Sequence, residues 1–186
     1  VQREYYVNDA GRQMDILAVS VWLRYHELSG INVRFPDNGY KGEYVSEIER
    51  ALRAREGHRL RHNAMESTDE LPADESQGGD KELHVDALIA RARQLLGDKD
   101  YRIVFDAGLQ WCLADIRNDL IGFGVVHDNF FSERSLATDG YMPRAIEKLR
   151  ANGHLFEQDG ATWFRATTFG DDKDRVVIRE NGATTY

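Results

Sequence analysis

Tyr5-Tyr6-Val7-Asn8-Asp9-Ala10-Gly11-Arg12-Gln13 decides the fold class. Tyr5, Tyr6 and Val7 favour an extended strand, because aromatic and β-branched side chains fit a pleated, half-buried surface. Asn8-Asp9 breaks that strand. Asp9 is a competent helix N-cap, since its carboxylate can accept hydrogen bonds from the free N–H groups of a first turn. Behind it apolar residues recur at Met14, Leu17, Ala18, Val21, Trp22, Tyr25 and Leu28. Those steps of three and four predict an amphipathic helix, with Gly30 placed to end it. Strand, polar turn and helix form one unit of an α/β sheet, and ligands of such sheets gather at the carboxyl ends of strands. Asp9 is therefore either a plain cap or a site residue.

Downstream, Phe35-Pro36-Asp37-Asn38-Gly39 has turn chemistry. Residues 40–55 read as a second helix with Tyr44, Ile48, Ala51 and Leu52 on one side. His58, His62 and Glu66 stand four apart, a spacing that could present metal ligands on a helix face. A structural site wants four ligands and no Cys lies nearby, so a solvated helix face is the preferred reading. Residues 66–80 lose all periodicity, and Leu71 is the one large apolar side chain among them, which predicts an exposed, mobile acidic loop. A helical pattern resumes over 83–96 and closes at Gly97. Tyr101, Phe105, Leu109, Cys112, Ile116 and Leu120 form a longer stripe at helical spacing, the mark of a core-facing helix. Residues 32–123 thus read as a mainly helical insertion following the strand–turn–helix segment 1–31.

From Gly124 the texture changes. Val125-Val126-His127 reads as a short strand and 128–134 as a loop rich in aromatics and charge. A helix is predicted from Asp139 or Tyr141, with Pro143 in its first turn, Ile146 and Leu149 buried, and Gly153 at its end. Asp159-Gly160 and Asn181-Gly182 are hairpin turns, because both dipeptides supply the positive φ that tight turns need. The last strand runs to Tyr186, which reads as a segment of something longer. Before the second hairpin, Asp171, Asp172 and Asp174 could gather Mg²⁺ for phosphoryl transfer, although a charged loop is most often solvated surface.

Composition narrows the classes. Hydrophobic residues make up 41% and charged residues 30%, a globular balance, and no apolar run is long enough to span a membrane. No secretory signal is visible at the N-terminus. The lone Cys112 excludes an intramolecular disulfide and fits a reducing cytosol. A net charge of −8 argues against a broad nucleic-acid surface but leaves room for a local contact with RNA.

Several motifs now agree in order and spacing. The segment from Tyr5 to Gln13 resembles the Asp-x-Gly-x-Gln turn of arginyl-tRNA synthetases. Phe123-Gly124-Val125, Phe131-Ser132-Glu133-Arg134-Ser135-Leu136, Gly160-Ala161-Thr162-Trp163 and Gly170-Asp171-Asp172-Lys173-Asp174-Arg175-Val176 follow in that family's order. The resemblance covers the chain from Val1 to Tyr186, with no matching motif between about 57 and 82. It implies a Rossmann-type class I catalytic domain, with 124–186 returning to that domain through β-hairpins. The implied activity joins arginine to ATP, with Mg²⁺, and passes the arginyl group to the terminal ribose of tRNA(Arg), in the cytoplasm and without membrane or DNA. It also implies an arginine pocket. Glu133 would accept hydrogen bonds from the guanidinium and Tyr186 would pack against it, with Asp9 and Gln13 lining the same cavity. Neither ATP signature of that class, the His-Ile-Gly-His-type turn or the Lys-Met-Ser-Lys-Ser-type loop, occurs in this sequence. A helical interaction module and a Mg²⁺-dependent phosphoryl-transfer enzyme are the alternatives.

Overall fold

Helix α1 (Arg12–Glu27) is the centre of the first of two packed units, Val1–Phe131 and Ser132–Tyr186. The computed structural model describes residues 1–31, 33–62 and 71–185. Ten residues of α1 are buried, including Ile16, Leu17, Trp22, Leu23 and Tyr25. Its stripe is wider than the predicted one because α2 (Glu43–Glu56) and α3 (Lys81–Gly122) both pack against it. Several buried polar groups on α1 find partners, as burial favours. Trp22 Nε1 donates to the Leu60 carbonyl at 2.8 Å and Tyr25 Oη to the Gly57 carbonyl at 2.5 Å. Ser20 Oγ donates to Ile16 O at 2.7 Å and accepts the Tyr40 N–H at 3.0 Å.

The helix starts differently from the sequence expectation. Gly11 occupies the N-cap position and no side chain caps it. Asp9 is therefore not the cap; it lies two residues earlier in a turn where its N–H donates to Val7 O at 3.0 Å. Strand β1 (Glu4–Val7) precedes that turn and pairs with β2 (Asn129–Ser132) in a two-stranded sheet. β2 falls inside the stretch read as a loop, whereas Val125, Val126 and His127 form no strand. Tyr5 stacks on Phe130 and Tyr6 packs beside Phe131, so aromatic pairs across the two strands outweigh the β-branched residues just before them.

The core side of α2 is Val45, Ile48, Glu49 and Leu52; Ala51 is exposed. Glu49 is fully buried, with Arg53 Nε 3.2 Å from one oxygen, and burial raises its carboxyl pKa against the pull of Arg53 and Arg50. Helix α3 is two helices meeting at Gly97, whose φ of 67° and ψ of 168° are outside helical space. Glycine is needed there because a side chain disfavours that backbone. Asp15 on α1 binds both arms, accepting from Arg93 at 2.6 Å before the break and from Tyr101 Oη at 2.7 Å after it.

The predicted mobile loop divides into two parts. Residues 66–70 lie outside the described residues. Residues 71–80 contain a 3-10 turn (Glu75–Gln77) with a reciprocal capping box between Asp74 and Gln77. Asp74 is fully buried and also accepts the Asp37 N–H at 2.8 Å, while Asp37 accepts the Ser76 N–H at 2.7 Å. This two-way clasp ties the segment to the Pro36–Gly39 turn, a long-range pairing that composition could not announce.

His26 makes a pH-dependent contribution. It is completely buried, with Nδ1 2.8 Å from Trp22 O and Nε2 accepting the His62 N–H at 3.0 Å. That pair of partners holds the neutral imidazole with its proton on Nδ1, and a second proton would meet an N–H. Burial lowers its pKa. A histidine with a depressed folded pKa stabilises fully above its unfolded value of about 6.5, and that stability is lost as pH falls through the folded value. Urea unfolding from pH 8 to pH 5 should show the parent losing its advantage over His26→Gln as acid is added. A difference independent of pH would refute the assignment.

The second unit holds α4 (Ser135–Thr138), α5 (Tyr141–Ala151) and an antiparallel sheet in the order β3-β4-β5. Strands β3 (Leu155–Gln158) and β4 (Ala161–Phe164) form the expected hairpin, with Asp159 at φ 52° and Gly160 at φ 75°. β5 (Arg175–Ile178) pairs with β4 through a bulge near Thr162 and Trp163. Among the described residues the returning segment forms a single isolated bridge, Ile178 to Thr184. Ile146 and Leu149 of α5 are half-buried rather than buried.

Candidate functional site

The carboxyl end of β1 delivers Asp9, which is 2% exposed. It is held by the tight Val7–Asp9 turn, and Gly11 then allows α1 to begin beside it. Gln13 stands exposed on the first turn of α1, and its Oε1 accepts the Tyr40 hydroxyl at 2.9 Å. The acceptor of Gln13 is thereby engaged and its amide N–H groups are left to face solvent or a ligand. Arg12 beside it is spent on structure: it reaches Glu82 and Asp86 at the start of α3, and those carboxylates raise its pKa.

In the second unit, β2 ends at Ser132 and the chain turns into α4. The Leu136 N–H donates to Glu133 O at 3.0 Å and Ser135 Oγ to Ser132 O at 2.6 Å, so the backbone around Glu133 is fixed. Glu133 is 8% exposed, and its Oε2 is buried without a hydrogen-bond partner among the described residues. A carboxylate removed from water is costly unless a cation or donor meets it. The fourth expected residue, Tyr186, lies outside the described residues. The structure therefore places Asp9 and Gln13 in one unit and Glu133 in the other. The resemblance singled out Glu133, and its burial adds what charge patterning beside Arg134 could not show.

The acidic loop is committed to the protein itself. Arg175 grips Asp171 with two nitrogens at 2.7 and 2.9 Å and reaches Asp172 at 3.0 Å, holding the Asp171 carboxyl well below the usual carboxylate range. Asp174 accepts the Thr167 N–H at 3.0 Å and its hydroxyl at 2.8 Å. These are loop-forming contacts. No group of three His, Cys, Asp or Glu able to hold a metal ion occurs among the described residues. His58 and His62 do not share a helix face, solvated or otherwise: α2 ends at Glu56, both residues follow it in turn and coil, and Glu66 lies outside the described residues.

No protein-family model matches the chain. Individual relatives do, over all of its length. It is 59% identical over 186 residues to the arginine–tRNA ligase of Thioalkalivibrio sulfidiphilus, covering 100% of this chain and 32% of that protein. It is 53% identical over 186 residues to the arginine–tRNA ligase of Legionella pneumophila strain Paris, with the same coverage. A crystal structure from Campylobacter jejuni assigned to arginyl-tRNA synthetase superimposes with a TM-score of 0.63 at 27% identity, covering 100% of this chain and 33% of that one. The chain is thus an α/β relative of an aminoacyl-tRNA ligase group. Along its whole length it is homologous to arginine–tRNA ligases, and it spans about a third of the length of the curated relatives it matches.

Proposed function

We propose that the chain is part of the catalytic domain of an arginine–tRNA ligase, and that Glu133 is its guanidinium acceptor. The observation that carries this is the buried Oε2 of Glu133, without a hydrogen-bond partner among the described residues, in a chain 59% identical throughout to such a ligase. A guanidinium presents planar donors, so its recognition calls for a carboxylate in a dry site. Glu133 binds and orients arginine. Asp9 and Gln13 line the approach at the end of β1, and Tyr186 packs against the guanidinium. The substrates are arginine, ATP and tRNA(Arg), the setting is the cytoplasm, and DNA takes no part. Among the described residues no helix is long and apolar enough to cross a membrane.

Within this reading, residues 1–31 are a Rossmann-type strand–turn–helix, 32–123 a helical insertion, and 124–186 the return to the catalytic domain. ATP and Mg²⁺ supply acyl activation in such ligases. The described residues do not fit a metal, because the carboxylates of the 171–174 loop are engaged, so the chain's own contribution is amino-acid recognition. Positive groups oriented on the transferring phosphates supply most of the stabilisation in such a reaction. The 186-residue chain alone should therefore show no arginine-dependent ATP–pyrophosphate exchange with or without tRNA, while the protein from the full reading frame should show it. Robust exchange by the chain alone would place the activating machinery within it, and failure by the full-length protein would refute the ligase reading.

A further inference from the structure

One face of the β3–β4 hairpin carries side chains that no role above absorbs. Phe156 and Trp163 are cross-strand partners whose rings stack 6.3 Å apart at 20°. Arg165 follows Trp163 by two residues and so projects to the same side. Its guanidinium lies 4.7 Å over the Phe156 ring. Val176, opposite Trp163 on β5, continues the surface. The opposite face makes contacts of its own. Thr162 is buried and donates to Glu157, Arg150 of α5 approaches Glu157 at 4.0 Å, and Phe164 stacks on Phe169.

Phe156 and Trp163 keep part of their surface in solvent, and Arg165 is exposed. Asp174 is near enough to feel the charge of Arg165, yet that carboxylate is bonded to Thr167. Charge opposes a polyanion less in this unit than in the other. Residues 132–186 hold eight Lys and Arg against nine Asp and Glu, whereas residues 1–131 hold 16 against 23. A negative chain would be repelled by most of the protein and tolerated here.

We infer that the Phe156–Trp163–Arg165 face stacks unpaired bases of an RNA. Stacked aromatic rings accept any base, and a guanidinium lying on a ring can stack on a base or meet its phosphate. The source of the RNA, a tRNA, rests on the ligase reading; the stacking chemistry does not. The probe is a fluorescent single-stranded RNA of about eight nucleotides, within the range of sites that track a single strand, with an RNA duplex of the same length beside it. Anisotropy on the 186-residue chain should show the single strand binding and the duplex failing to bind. Trp163→Ala should weaken binding about tenfold, and Trp163→Phe should restore most of it. Arg165→Gln should weaken it severalfold and reduce the salt slope by about one. Should Trp163→Ala lose its circular dichroism, Arg165→Gln decides the matter. No binding of the single strand, equal binding of the duplex, or parent-like affinity in folded Trp163→Ala or in Arg165→Gln overturns the inference. Absence of arginine chemistry in the full-length protein, with these RNA results intact, would remove the ligase reading and leave the stacking site standing.

Discussion

In the full-length protein, Glu133→Gln should raise the arginine KM by about 2–5 kcal/mol of lost charge-assisted contact and leave the KM for ATP nearly unchanged. The substitution keeps the size of the side chain and removes its charge. The effect is large because Glu133 is buried, with Oε2 unpartnered among the described residues. A guanidinium facing a neutral amide would keep its own desolvation cost without a counter-charge. The same substitution should stabilise the arginine-free protein or leave it unchanged, since it removes an unpaired buried acceptor of negative charge. Steady-state kinetics with arginine and ATP varied separately test the first part, and thermal unfolding tests the second. Parent-like arginine binding would move the pocket elsewhere.

Trp22→Ala should cost about 3–5 kcal/mol in urea unfolding. The ring is completely buried at the meeting of α1 with its neighbours, so its loss leaves a cavity in close-packed surroundings. It also frees the Leu60 carbonyl, which accepts the indole N–H at 2.8 Å. Trp22→Phe separates the two contributions, because it refills much of the volume without restoring a donor. A loss below about 1 kcal/mol for the alanine variant would mean that the core relaxes around the gap and that α1 is not its centre.

Local rules made much of this fold readable. The apolar steps from Met14 to Leu28 mark α1, Gly97 marks the break in α3, and Asp159-Gly160 marks the hairpin turn. Each of those signals is contained within a few residues. What escaped depends on partners far along the chain. β2 at Asn129–Ser132 exists because its aromatic rings find Tyr5 and Tyr6 more than a hundred residues away. Asp74 is indistinguishable from its acidic neighbours until Asp37 meets it. Glu49 has the charge of a surface residue, and nothing in its spacing announces full burial. At the site the same limit applies. Asp9 was legible as a polar residue at a strand end, but its identity as a buried residue before the helix rather than its cap was not. Glu133 came from the order of motifs, and only the packing around it supplied a reason for its charge to seek a cation.

The elbow at Gly97 has a mechanical consequence. A helix interrupted once behaves as two stiff rods on a swivel unless something spans the angle. Asp15 spans it, holding Arg93 on one rod and Tyr101 on the other from a third rod, α1. Three struts meeting at fixed points make a triangle, and a triangle cannot shear without lengthening a side. The setting of the elbow is therefore held from both sides, by the Asp15 carboxylate and by the buried faces of the two arms, Leu88 and Ala92 on one and Val104 and Phe105 on the other, while the glycine only permits it.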